Sequence, residues 1–317
     1  MTFKFKFNSK ATQTVLAFAS LILLIVIFSI LSPNFATYSN MNTILLATAV
    51  NGILAVGITF IIITGGIDLS IGTVMTFCSV MCAVFIANLG FPIFVGLLAA
   101  VIVGALCGFI NGTLIAKLKL PAFIATLGMM NVTRGLNLII SGTKPVYLTD
   151  AKGFSDIAIK MTLGIPNGVL IFFMAAIIAA FILNKTIMGR YTFAIGSNEE
   201  SARLSGINTD SWKIGIYTMS GTFFGIAGIV MASRLNSAQP ALGQGYEMDA
   251  IAAAVIGGVS LSGGEGSILG TIIGAFIITV LTNGLRILSV PQEWQMVVTG
   301  IIVIGAVYMD IARRRIK

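Results

Sequence analysis

Histidine is absent from the 317 residues, and only three cysteines are present. Without an imidazole there is no His-based acid–base pair, no Ser–His or Cys–His nucleophile and no H-E-x-x-H zinc site. Cys78, Cys82 and Cys107 all lie in apolar runs. Cys78 and Cys82 are four apart on one helix face, but two thiols without a third ligand do not hold zinc; they read as small core residues. Charge is also scarce, at 9% of residues against roughly 25% in soluble globular proteins. No G-x-x-x-x-G-K-[ST] phosphate loop occurs. Leu261-Ser-Gly-Gly264 and Gly264-Glu-Gly-Ser-Ile-Leu-Gly270 look like pieces of nucleotide-binding motifs, yet neither has its structural context; a turn between two spans explains both. The chain is therefore expected to be no enzyme, with no metal and no cofactor of its own.

Apolar sequence fills the space. Hydrophobic residues make up 57% of the chain and the mean hydropathy is +1.01. The apolar runs are continuous rather than alternating, which points to an all-α polytopic membrane protein and away from a membrane β-barrel. Ten spans are expected, at 14–32, 44–64, 69–88, 92–116, 121–140, 167–184, 213–233, 248–262, 267–287 and 294–311. The first reads as a retained helix rather than a cleaved signal. The eighth is short for a bilayer of about 30 Å, and so tilted, broken or re-entrant. The chain is expected to be one transmembrane domain over 1–317, with long polar segments at 141–166 and 185–213.

The net charge of +8 does not imply nucleic acid, because the basic residues sit at span ends. With the N-terminus inside, thirteen Lys and Arg fall in inner segments: Lys4, Lys6, Lys10, Lys117, Lys119, Lys185, Arg190, Arg203, Lys213, Arg313, Arg314, Arg315 and Lys317. Five fall outside, at Lys144, Lys152, Lys160, Arg234 and Arg286, and Arg134 lies within a span. This asymmetry predicts both termini and the 185–213 segment on the inner side, with 141–166 opposite.

The inner segment 185–213 holds Ser197-Asn-Glu-Glu-Ser-Ala-Arg-Leu-Ser-Gly206. Ser197 and Glu200 have capping-box spacing and Gly206 fits a C′ stop, so a helix of about two turns is expected. A helix that short needs a surface to lie on. Elsewhere, glycines recur every fourth residue at 104, 108 and 112, at 266, 270 and 274, and at 221 and 225, the spacing of close helix packing in lipid. Val103–Pro121 echoes Ile273–Pro291 without gaps, in spans that run in opposite directions, the pattern of an inverted-topology repeat. Among intramembrane charges, Asp68 reads as a helix-start carboxylate or a pathway residue, and Glu247 and Asp249 likewise. Arg134 has no sequence-local partner. Asn51, Asn111 and Asn131 suit either a polyol ligand or bonds between helices.

Several of these stretches resemble a known family: Asn51-Gly-Ile-Leu-Ala-Val-Gly-Ile-Thr59, Thr64-Gly-Gly-Ile-Asp-Leu-Ser-Ile-Gly72, Gly189-Arg-Tyr191, Ala202-Arg-Leu-Ser-Gly-Ile-Asn208, Gly245-Tyr-Glu-Met-Asp-Ala-Ile-Ala-Ala253 and Gly257-Gly-Val-Ser-Leu-Ser-Gly-Gly264. In this order along nearly the whole chain they look like the ribose-type permeases, the membrane subunits of bacterial ATP-binding-cassette sugar importers. The resemblance implies a ten-span fold of the larger importer class that includes the cobalamin permease, set in the cytoplasmic (inner) membrane. It also implies a dimer with a second copy or a paralogue, separate ATPase chains that carry ATP and Mg, an extracytoplasmic sugar-binding protein, and a ribose-like monosaccharide as cargo. Nucleic acid is not an expected partner. The implied coupling residues are Asn198, Glu199, Glu200, Ser201, Arg203, Leu204 and Gly206. Candidate pathway residues are Asn51, Asp68, Asn111, Glu247 and Asp249. The rival reading is an ion-coupled secondary carrier, which requires a titrating carboxylate within the bilayer.

Overall fold

The computed structural model describes residues 10 to 316; Lys4, Lys6 and Lys317 of the charge map lie outside them. Twelve α-helices follow in order: α1 (Lys10–Leu31), α2 (Tyr38–Ile63), α3 (Ile71–Ala83), α4 (Ile93–Ala116), α5 (Ala122–Ser141), α6 (Asn167–Lys185), α7 (Ile187–Ser197), α8 (Glu199–Leu204), α9 (Thr209–Leu235), α10 (Tyr246–Ile256), α11 (Ile268–Ile287) and α12 (Gln292–Ile316). A π-helical turn, Val84–Asn88, prolongs α3. Two short ribbons complete the chain, β1 (Val146–Tyr147) with β4 (Ser237–Ala238) and β2 (Met161–Thr162) with β3 (Ile165–Pro166), both antiparallel. Eight helices among the described residues are long and apolar enough to cross a membrane: α1 to α6, α9 and α11. The protein is a multi-pass membrane protein.

All ten expected spans coincide with helices, to within a few residues at most ends, but the eighth and tenth, on α10 and α12, are not among the eight that are long and apolar enough to cross. Apolar runs are legible because every backbone N–H in a bilayer must be satisfied inside its own helix. The centre is α2, whose residues Ala49 to Ile63 are all buried, wrapped by α6, α9, α10 and α11. Polar side chains join these helices. The Ser220 hydroxyl donates to the Gly57 carbonyl at 2.9 Å, and the Thr59 and Thr271 hydroxyls share a 2.8 Å bond.

Glycine sets the tightest packing. A Cβ on Gly104 would strike the Gly221 carbonyl, and one on Gly108 the Tyr217 carbonyl; Gly112 abuts Ile214. These contacts run α4 antiparallel to α9. On the other side Gly274 and Gly270 meet the Ala253 and Gly257 carbonyls, which runs α10 antiparallel to α11. Gly266 departs from its expected row, since α11 begins at Ile268 and Gly266 lies in the preceding turn against Ile63. The echoed segments lie on α4 and α11, which run in opposite directions as an inverted repeat requires.

The eighth span resolves into a broken crossing. The β1–β4 ribbon fixes residues 237–238 at one end of the molecule. The Gly263–Gly264 turn lies at the other, where the Gly264 N–H donates to the Ile63 carbonyl at 2.8 Å. Between them only the 11 residues of α10 are helical, about 16 Å of rise. The remaining distance is covered by an irregular segment whose Gly243 presses on Gly72 in the first turn of α3. Irregular backbone is tolerated at such depth only where protein buries it, and Gly243 is buried.

Candidate functional site

The short helix α8 sits at the end opposite the β1–β4 ribbon. Its cap differs from the expected one. Helix α7 runs on through Ser197, so Asn198 with extended backbone becomes the N-cap and accepts from the Ser201 N–H at 2.8 Å. At the other end Gly206 takes φ +85°; its N–H donates to the Arg203 carbonyl, and the Ile207 N–H to that of Ala202. This pair of bonds is a Schellman stop, which requires a residue free to enter the left-handed region.

A chain of ion pairs seats α8. Lys213 Nζ lies 2.6 Å from Glu199 Oε2, and Arg203 Nη2 lies 3.5 Å from Glu199 Oε1 and 3.8 Å from Asp210 Oδ1. Lys119, in the α4–α5 connection, reaches Asp210 Oδ1 at 2.7 Å. Arg203 also donates to the Thr209 hydroxyl at 3.3 Å. Glu199 and Arg203 therefore turn inward, to the first turn of α9. Ala202 is buried, while Glu200, Ser201 and Ser205 are exposed and Leu204 stands 80% exposed at the tip. An acidic and a leucine side chain four residues apart form one free face.

Behind α8 the chain locks by backbone contact. Gly196 at the end of α7 packs on the Ile63 carbonyl at the end of α2, and the Gly263–Gly264 turn packs on Gly196 and Ser197. Gly263 and Gly264 adopt φ +83° and +75°, conformations that cost other residues strain. Gly189 at the start of α7 meets the Leu183 carbonyl of α6. Tyr191 stacks edge-on against Trp212 of α9, centroids 5.0 Å apart. The three glycines 196, 263 and 264 thus join α7, α2 and the turn leading into α11. Helix α7 itself, and this junction, escape the sequence reading.

The candidate pathway residues fall into separate places. Asp68 is buried before α3 and accepts from the Ser70 N–H at 2.8 Å, the Ser70 hydroxyl at 2.6 Å and the Asn111 amide at 3.4 Å. Asn111 also donates to the Ser70 hydroxyl, and the nearby Tyr217 hydroxyl donates to the Ile67 carbonyl. This knot ties the α2–α3 connection to α4 and α9; the N-cap of α3 is Ser70, not Asp68. Glu247 accepts from the Gly245 N–H with both carboxylate oxygens at 3.2 Å. Asp249 is half-buried one turn into α10. Asn51 is buried in α2, with neither amide atom hydrogen-bonded. The structure brings Asp68 and Asn111 together and leaves Asn51 apart from them.

The family described as the branched-chain amino acid transport system / permease component matches residues 40–307. The chain is 43% identical to the ribose import permease protein of Escherichia coli strain K12 over 92% of this chain and 91% of that one. It is 44% identical to the ribose import permease protein of Bacillus subtilis over 92% and 91%. It is also 37% identical to the fructose import permease protein of Rhizobium meliloti over 89% and 80%. No solved structure matches the chain. With this match across most of its length, the chain belongs to the branched-chain amino acid transport system / permease component family.

Proposed function

We propose that this chain is the membrane subunit of an ATP-binding-cassette importer that carries a ribose-like monosaccharide across the bacterial cytoplasmic membrane. The relatives named as ribose and fructose import permeases support the cargo class. The observation that carries the mechanism is the seating of α8. Its Glu199 and Arg203 bind back to the protein while Glu200 and Leu204 face outward. A side chain that is 80% exposed and apolar at a helix tip is the kind of group a partner pocket buries.

In this reading the α8 end faces the cytosol with both termini, as the distribution of Lys and Arg favours. Separate ATPase chains hold ATP and Mg and grip Glu200 and Leu204. Their closure pushes α8 against α7. The Gly196–Ile63–Gly264 contacts pass that push to α2 and to the turn between α10 and α11. Backbone-to-backbone contacts suit this role, because they leave no rotamer to absorb the displacement. A second copy completes the pathway, and a binding protein delivers sugar at the β1–β4 end. The chain itself does no bond chemistry.

The test is a thiol crosslink together with uptake. Leu204→Cys in the purified complex is expected to crosslink to the ATPase chain, and vesicles holding the whole complex to accumulate labelled ribose only with ATP. Accumulation that instead follows an ion gradient without ATP supports a secondary carrier and sinks the proposal.

A further inference from the structure

Helix α5 buries a polar face. It is the least apolar of the eight crossing helices and, after α1, the most exposed. Its exposed side carries Phe123, Ile124, Val132 and Ile139, with Gly128 and Asn131 among them. Its buried side carries Thr126, Thr133 and Asn137, so the polar face of α5 turns into the protein. Polar groups within a membrane helix turn toward a partner or a water-lined space rather than lipid.

Between α5, the start of α3 and the descending segment before α10 lies a cavity of about 140 Å³, lined by Thr73, Thr76, Arg134, Asn137 and Gln244 among others. The Asn137 amide donates to the Thr73 carbonyl at 3.3 Å, which fixes its orientation. Its Oδ1 is buried with no hydrogen-bond donor, in a residue only 1% exposed. An acceptor at such depth is met by a water or by a ligand donor, and a cavity beside it has room for either. Thr73 donates to the Ser70 carbonyl and accepts from Thr133, and Thr76 donates to the Gly72 carbonyl, so one lone pair of Thr73 and both of Thr76 retain acceptor capacity. Arg134 supplies a fork of donors, and no carboxylate lies within ion-pair distance of it among the described residues. No lining side chain is acidic.

From this set we infer that the α3–α5 cavity is a contact site for a neutral polyhydroxyl ligand, a monosaccharide in transit. Resting on the import reading above, the inference assigns where the sugar touches this chain. Sugar hydroxyls both donate and accept, so one ligand can satisfy the Asn137 acceptor and the Arg134 donors together. An anion such as phosphate or sulfate satisfies Arg134 and leaves Asn137 Oδ1 unmet. The cavity holds part of a monosaccharide, and no aromatic ring lines it. Binding there is weak, as passage requires.

The test uses the whole complex in membranes, with Gln244→Cys as reporter. Gln244 is exposed at the cavity, whereas Cys78, Cys82 and Cys107 are buried, so the parent protein serves as the unlabelled control. Ribose is expected to slow labelling by a methanethiosulfonate reagent severalfold while sulfate does not, and adding Asn137→Ala is expected to remove the protection. Ribose uptake by Asn137→Ala at normal abundance should fall roughly tenfold, the worth of one hydrogen bond to a buried acceptor. If that variant fails to accumulate, the Gln244→Cys labelling decides alone. Labelling that ribose leaves unchanged, or that sulfate slows equally, overturns the site while leaving the import reading intact. If the wild-type complex takes up no sugar at all, the import reading fails and the site falls with it.

Discussion

Helices α8 and α10 are both too short to cross a bilayer, at 6 and 11 residues, and they are held in opposite ways. Side chains seat α8, through an asparagine cap and ion pairs among Lys119, Glu199, Arg203, Asp210 and Lys213, with a backbone glycine stop at its end. Backbone seats α10, through Gly257 and Ala253 pressed on Gly270 and Gly274 of α11. The first arrangement can tolerate the loss of any one contact, because partly exposed ion pairs contribute only about 0–1 kcal/mol each. The second cannot, because nothing flexible lies between the two chains. In the proposed mechanism the surface helix that hands over force is adjustable, and the buried segment that receives it is stiff.

The sharpest way to break this contrast is to put a side chain into the backbone contacts. Gly274→Leu would drive carbon into the Ala253 carbonyl, and relief requires α10 and α11 to separate. The expected cost is about 3 kcal/mol or more, read as loss of the protein from membranes or as a fall in detergent melting temperature. Gly196→Val makes the same collision with Ile63 at the junction behind α8. There α7 and α2 must separate, and the protein that does reach the membrane is expected to have lost sugar uptake, checked as transport per unit of protein in vesicles. Similar uptake in Gly196→Val and wild type would show that the junction transmits nothing.

Smaller effects are expected on α8. Asn198→Ala removes the cap and should cost about 1 kcal/mol of local stability, visible as faster hydrogen exchange at residues 199–206. Lys119→Ala removes an exposed pair to Asp210 and should change melting by no more than about 1 kcal/mol. If Lys119→Ala proved as damaging as Gly274→Leu, the division between side-chain and backbone seating would be wrong.

These two helices also show what a sequence can reveal. Helix α8 was legible because its residues are polar amid apolar neighbours, although the cap was misplaced by one residue. Ser197 and Asn198 both suit a cap, and only the continuation of α7 through Ser197 decides between them. The break before α10 was legible only as a shortage of length. Ala250 to Ile256 reads as an ordinary apolar run, and the Gly243–Gly72 contact that anchors the irregular part joins residues far apart in sequence. The α5 site was missed for a related reason. Thr126, Met129, Thr133 and Asn137 recur at helical spacing and are all buried, which in sequence looks no different from an ordinary packed face. That Thr133 donates to Thr73 at 2.8 Å, and that Asn137 keeps an unmet acceptor, depends on α3. Arg134 without a nearby acid was the one local signal.

The most direct measurement is the number of sugar molecules imported per ATP hydrolysed, in vesicles carrying the complete complex with Glu200→Arg and Leu204→Glu in this chain. Neither side chain holds α8 in place, so the helix should remain folded. The ratio is expected to fall at least about tenfold, since a buried leucine contact and a charge contact at an interface are each worth more than about 1 kcal/mol. A ratio and a hydrolysis rate both equal to wild type would contradict the assignment of α8 as the surface the ATPase grips.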